Sequence, residues 1–208
     1  MGAIDAVVFD IGNVLVEWHP FRPFDRILGE AQRKALFAEV DFMGANERCD
    51  LGADIVDEIE ALARAHPDKR DQVMIWLDRY MEMLAPELPH SARMLRALRA
   101  RGQAVFALSN FGHRTFVMSE EVYPILTEFD RRFISGQLGL MKPDPAIYAR
   151  VETETGIAPE RLFFIDDRQD NIDAAAARGW QVHLFTGEAG LAERLVEEGL
   201  LTEDEAVA

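Results

Sequence analysis

Short apolar runs recur along the chain at residues 4–9, 104–108, 162–165 and 182–185, and helix-period segments separate them. Residues 91–101 place Met94, Leu95 and Leu98 on one face, and Gly102 ends the segment. Residues 144–155 start with Pro145 in the first turn and stop before Gly156. Residues 171–178 are Ala-rich and end at Gly179, and residues 191–198 are amphipathic and end at Gly199. A fifth, short strand is read at Phe133-Ile134. Strands alternating with helices fold as a parallel sheet joined by right-handed crossovers, so the fold class is α/β with a Rossmann-like core.

One interval breaks this rhythm. Residues 17–90 contain no strand-like run and read as four helices, at about residues 21–28, 30–40, 53–65 and 69–84, punctuated by Pro67, Pro86 and Pro89. A crossover needs only one helix, so the interval reads as an inserted helical domain. The expected division is a core of residues 1–16 and 91–208 and a helical cap of residues 17–90, which leaves beside Asp10 and so is placed to cover it. The acidic tail after Leu201 is expected to fray.

Composition narrows the possible partners. A net charge of -15 disfavours nucleic acid and anionic membrane surfaces, both of which need clustered Lys and Arg. Hydrophobic content of 49% supports a sizeable core. The one cysteine, Cys49, has no internal disulfide partner, Met1 is followed by no basic segment, and no stretch reaches transmembrane length. The expected location is therefore the cytoplasm.

The polar residues that carry chemistry stand at the ends of the apolar runs. Asp10 closes Ala6-Val7-Val8-Phe9, and Ser109-Asn110 closes the second run. Lys142 lies in Gly139-Leu140-Met141-Lys142-Pro143-Asp144, and Asp166-Asp167 closes the fourth run. In a parallel sheet these ends share one edge. Carboxylates gathered there repel one another unless a cation lies between them, and the oxygens of Asp10 and Asp167 suit Mg²⁺. Lys142 is a point charge for a dianionic substrate, and Ser109 with nearby N–H groups is suited to phosphate oxygens. Asp10 is then available to attack phosphorus and form an aspartyl phosphate. Each piece alone also has a plain reading, as a helix cap, a turn or a surface lysine.

Four segments taken together resemble the haloacid dehalogenase (HAD) superfamily, in the branch with a helical cap inserted after the first motif. They are Phe9-Asp10-Ile11-Gly12-Asn13-Val14-Leu15, Leu108-Ser109-Asn110, Met141-Lys142-Pro143-Asp144-Pro145, and Phe164-Ile165-Asp166-Asp167 running on to Asn171-Ile172-Asp173-Ala174-Ala175. The resemblance implies Asp10 as nucleophile, Ser109 and Asn110 as phosphate contacts and Lys142 as charge stabiliser. It also implies Asp167 as the main metal carboxylate, with Asp166 supporting the metal site. Within the superfamily the chain is similar to small sugar-phosphate phosphatases with an Asp-x-Gly-Asn opening, which implies a small phosphorylated substrate and Mg²⁺.

Gly12 departs from that pattern, because most phosphatases of the superfamily carry there a second Asp that acts as general acid and base. Gly12 keeps a carbonyl for the metal but has no proton to give. Losing a positioned acid/base costs roughly 10²–10⁴ in rate. Glu17 and His19, just downstream, are the candidates to replace it.

The departure opens two rival readings. One is a metal-independent 2-haloacid dehalogenase, which also uses an Asp nucleophile and lacks the second Asp. Those enzymes hold halide with a cap Arg about thirty residues on, where this chain has Asp41, with Arg33 and Arg48 as imperfect substitutes. The pair Asp166-Asp167 also favours phosphate chemistry with a metal over a metal-free carboxylate site. The other rival is a non-catalytic phospho-ligand-binding protein, against which Asp10, Lys142 and Asp167 all stand intact. Residues 47–52 read as a polar connector between helices, in which Arg48 is a further candidate to grip substrate.

Overall fold

The structure is a computed structural model that describes residues 3–207. Five parallel strands form the central sheet: β1 (Ala6–Phe9), β4 (Ala104–Ser109), β5 (Arg131–Ile134), β6 (Leu162–Asp166) and β7 (Gln181–Leu184), in the order β5-β4-β1-β6-β7. β1 is central because its four residues are apolar and fully buried, as a strand covered on both faces requires. Its side chains alternate, so that Val7 and Phe9 join one apolar cluster while Ala6 and Val8 join the other. The chain leaves β1 for β4 on one side and reaches β6 on the other, so the strand order reverses at β1. Crevices at such reversals are where open α/β sheets bind ligands.

Helices α7 (Pro89–Ala100), α8 (His113–Val122), α9 (Ser135–Leu138), α10 (Pro145–Thr155), α11 (Gln169–Ala177) and α12 (Glu188–Glu197) connect and flank these strands. Asp144 caps α10 by accepting from the Ala146 N–H, and Gly156 ends that helix in the left-handed conformation.

Between β1 and α7 lie six helices: α1 (Arg22–Leu28), α2 (Glu30–Glu39), α3 (Phe42–Asp50), α4 (Ile55–Ala65), α5 (Arg70–Asp78) and α6 (Tyr80–Met83). Phe24, Phe37, Phe42 and Trp76 fill their centre, with Phe42 stacked on Trp76 at 5.3 Å. This aromatic centre is continuous with the sheet through Val14, Leu15 and Val16, all fully buried.

Three expectations need correction. Residues 17–90 do contain strand: β2 (Val16–Trp18) pairs antiparallel with β3 (Leu84–Glu87), tying the start of the insert to its end. Both are too short to show a period of two. Residues 47–50 are helix rather than connector, because Asp41 caps α3 from the Gly44 N–H. Most of the tail is docked helix rather than frayed: α13 (Glu203–Val207) packs through Ala206, buried in the core, and through Glu205, 2.9 Å from Arg101, while Ala208 lies outside the described residues.

Candidate active site

Asp10 follows β1 directly, and its main-chain N–H bonds to the Ile165 carbonyl at 2.8 Å. Its side chain is buried. Oδ1 accepts from the Ile11 N–H at 2.7 Å and from the Ser109 hydroxyl at 2.7 Å, and lies 3.0 Å from the Lys142 ammonium. These donors converge on one oxygen, leaving Oδ2 without a hydrogen-bond donor among the described residues. Burial pushes the Asp10 carboxyl up to about 6 against the pull of Lys142.

Lys142 is fully buried and uses its three protons on Asp10, on Asp166 at 2.6 Å and on the Leu108 carbonyl at 2.8 Å. Burial works against its charge, but Asp10 and Asp166 outweigh it and raise its pKa. The Asn110 side chain, in the same wall, is also bonded to protein. It clamps the Lys142 backbone, with Nδ2 donating to the Lys142 carbonyl and Oδ1 accepting from the Lys142 N–H, both at 2.8 Å.

Asp166 has no exposed surface, and both its oxygens are taken up by Lys142, the Asn171 amide and the Arg168 N–H. Its geometry is that of a residue that holds Lys142 rather than one with an oxygen to spare for a metal. Asp167 is half-buried, and its Oδ2 accepts from Asn13 Nδ2 at 2.8 Å. Oxygens of Asp10, Asp166 and Asp167 lie within 4.8 Å of one another. Lys142 contacts Asp10 and Asp166 but offsets only one of the three carboxylate charges, so the cluster with Asp167 keeps an excess of negative charge. That donor set fits a hard, oxygen-bound divalent cation.

Sequence reasoning left Asn13 without a role. It is the one described non-glycine residue in the left-handed region, at φ 57°, and it bridges the Trp18 N–H and Asp167. Asn is among the few residues that adopt this conformation readily, which was the available signal.

These residues border a cavity of about 770 Å³. Asp10, Gly12, Asn13, Ser109, Asn110, Lys142 and Asp167 line its sheet side, and Trp18, Asp41, Met43, Asn46, Glu47, Asp50 and Tyr80 line its insert side. Glu17 and His19 are not among its walls. Trp18 faces the cavity, so its neighbours along an extended segment point away. Glu17 instead pairs with Arg22 at 2.7 Å, and the exposed His19 ring packs edge-on against Phe21. Arg48 bonds to Glu58 at 2.7 Å, and Arg33 bonds to Asp25 at 2.9 Å. Neither arginine lines the cavity, whereas Asp41 does.

The sheet order, the polar strand ends and the facing helical insert define an α/β fold with a polar crevice at the strand reversal. A model of the haloacid dehalogenase-like hydrolase family matches residues 4–179, and the chain belongs to that family. It is similar to a drimenol cyclase of Aspergillus calidoustus, 26% identical over 88% of this chain and 34% of the relative. It also matches an enolase-phosphatase of Acidiphilium cryptum, 28% identical over 74% of this chain and 66% of the relative. A sesquiterpene phosphatase of Aspergillus oryzae is 31% identical over 41% of this chain and 44% of its own length. The chain thus spans from a third to two thirds of the curated relatives it matches.

Among solved structures, a HAD-like hydrolase of Porphyromonas gingivalis superposes with a TM-score of 0.70, at 22% identity, covering 94% of this chain and 98% of the other. A HAD family enzyme of Bacteroides thetaiotaomicron, solved with magnesium and inorganic phosphate, gives 0.65 at 18% identity, covering 87% and 93%. The L-2-haloacid dehalogenase of Xanthobacter autotrophicus gives 0.61 at 20% identity, covering 95% and 84%. At these identities the superpositions establish the fold. No helix among the described residues is long and apolar enough to cross a membrane.

Proposed function

We propose that the chain is a Mg²⁺-dependent phosphatase that hydrolyses a small phosphate monoester through an aspartyl phosphate on Asp10. The observation that carries this reading is the charge of the cavity wall. Asp10, Asp41, Glu47, Asp50 and Asp167 line it, against Lys142 and Arg168, and Arg168 is itself paired with Asp170 at 2.6 Å. A haloacid carboxylate entering without a metal would meet this excess of negative charge with no arginine from the insert to hold it. The phosphatase names of two relatives and the magnesium in one structural neighbour point the same way.

In this reading Asp10, Asp167 and the Gly12 carbonyl would hold Mg²⁺, which when bound would supply the positive charge a phosphate dianion needs beside a carboxylate. Asp10 attacks phosphorus, while the Ser109 hydroxyl and the Lys142 ammonium, both against its carboxylate, orient it and place positive charge beside the transferring group. Asn110 and Asp166 keep Lys142 in place, and Asn13 keeps Asp167 in place. The helical segment of residues 17–90 acts as a cap. Trp18, Tyr80 and Met43 give its cavity side apolar surface, and Asn46 and Asp41 give it polar groups, a mixture suited to a sugar-like leaving group. Phosphate release from a panel of esters, with and without EDTA, beside halide release from 2-chloropropionate, tests this. EDTA-sensitive phosphate release is expected, and EDTA-insensitive halide release would establish the dehalogenase in its place.

A further inference from the structure

Gly12 leaves the proposed reaction without a group to protonate the departing alkoxide. No steric need enforces this glycine, since a Cβ added there would meet only the Trp18 Cβ, at 3.8 Å. The structure offers a carboxyl from the opposite wall. Helix α3 presents Met43, Asn46, Glu47 and Asp50 to the cavity and buries Phe42, Ala45 and Cys49 on its other face. Its last turn is seated directly on core backbone. A Cβ at Gly136 would lie 3.0 Å from the Cys49 carbonyl, and one at Gly112 would lie 3.3 Å from the Cys49 Cβ. The residue after Cys49 is therefore positioned by close contacts with the loop after β4 and the start of α9.

We propose that Asp50, supplied by the helical insert, is the general acid and base of the reaction. This rests on the phosphatase reading above. Asp50 lines the same cavity as Asp10, and its Oδ2 accepts from Asn46 Nδ2 at 3.2 Å. Glu47 lines the cavity too but is exposed. Asp50 ends α3, where the helix dipole disfavours a carboxylate. Burial first, then Glu47 and Asp10, push its carboxyl up to about 7, against the Gly112 N–H and Lys142. Tyr80, from α6, lines the same cavity. A carboxyl poised there is suited to both halves of the reaction at neutral pH.

In the first half a carboxylate oxygen of Asp10 bonds to phosphorus and the bond to the leaving oxygen breaks. Its electron pair stays on that oxygen, which takes the Asp50 proton and departs as an alcohol. In the second half a water oxygen attacks phosphorus and gives its proton to the Asp50 carboxylate. The bond from phosphorus to Asp10 then breaks, releasing inorganic phosphate and restoring both side chains.

The test compares Asp50→Asn with wild type on glycerol 3-phosphate, whose leaving group needs a proton, and on p-nitrophenyl phosphate, whose leaving group does not. Phosphoenzyme formation from glycerol 3-phosphate should fall roughly 10²–10⁴-fold and that from p-nitrophenyl phosphate by less than about tenfold. Asp50→Glu should recover part of the loss. In metal-free protein a carboxyl ¹³C resonance titrating near neutrality should vanish in Asp50→Asn. Equal losses on both esters, an unchanged rate on glycerol 3-phosphate, or an ordinary aspartate titration would overturn the assignment while leaving the phosphatase reading intact. So would a wild-type chain that cleaves only p-nitrophenyl phosphate. A wild-type chain that cleaves neither ester with Mg²⁺ would remove both.

Discussion

The Asp50→Asn substitution should make the protein more stable above neutral pH, because a carboxylate placed for chemistry is badly placed for folding. The carboxyl shifts from 3.8 to about 7 in the folded chain, chiefly through burial. A raised carboxyl pKa means that the folded state binds the proton more tightly than the unfolded state does. Stability is then lost as pH rises from 3.8 towards 7, and the loss is complete above that. At about 1.4 kcal/mol per pH unit the full shift corresponds to about 4 kcal/mol. Solvent reaches part of the Asp50 side chain, so about half of that, roughly 2 kcal/mol, is the working figure.

Asn keeps the shape and the Asn46 contact and removes the ionisation. Its advantage should be smallest in acid and largest above pH 7, with about 1 kcal/mol arising between pH 5.5 and 8. Urea unfolding of both proteins in EDTA at those two pH values measures it. A variant that is equally or less stable than wild type at pH 8, or an advantage that does not grow with pH, would refute the reasoning.

Lys142→Met strands Asp10 and Asp166 as buried carboxylates and should cost about 3–5 kcal/mol. Thermal melting at two pH values should show partial recovery in acid, where those carboxyls protonate. Asn13→Ala removes the hydrogen bond to Asp167 and puts Ala at φ 57°, so Mg²⁺ affinity should fall about 10–100-fold, read by titration calorimetry. The left-handed Ala adds about 1–2 kcal/mol of strain, read from the unfolding midpoint.

The core was readable because its signals are local and strong. β1, β4 and β6 are short apolar runs, and helices α7 and α10 carry their own stop signals at Gly102 and Gly156. The strand-end polar residues followed from topology, since parallel strands put Asp10, Ser109 and Asp166 on one edge. The insert was harder to read. β2 and β3 span only three and four residues, and their pairing joins positions almost seventy apart, so no local pattern announces them. Helix α3 is rich in polar and small residues, because one face lines a cavity and the other fits against glycines, and so it reads as a connector. That hid Asp50 and directed attention to Glu17 and His19, which lie close to the first motif in sequence but point away from it. The roles of Asn110 and Asp166 as supports for Lys142 depend on pairings across the sheet edge, which spacing does not reveal.

The central claim, that Asp10 accepts a phosphoryl group, is tested most directly by acid quench during turnover of p-nitrophenyl phosphate with Mg²⁺, followed by peptide mass spectrometry. The expected result is one phosphoryl group on the peptide carrying Asp10, enriched in Asp50→Asn and absent from Asp10→Asn and from EDTA-treated protein. Phosphate release that persists in Asp10→Asn, or a phosphoryl group found on another residue, would contradict it.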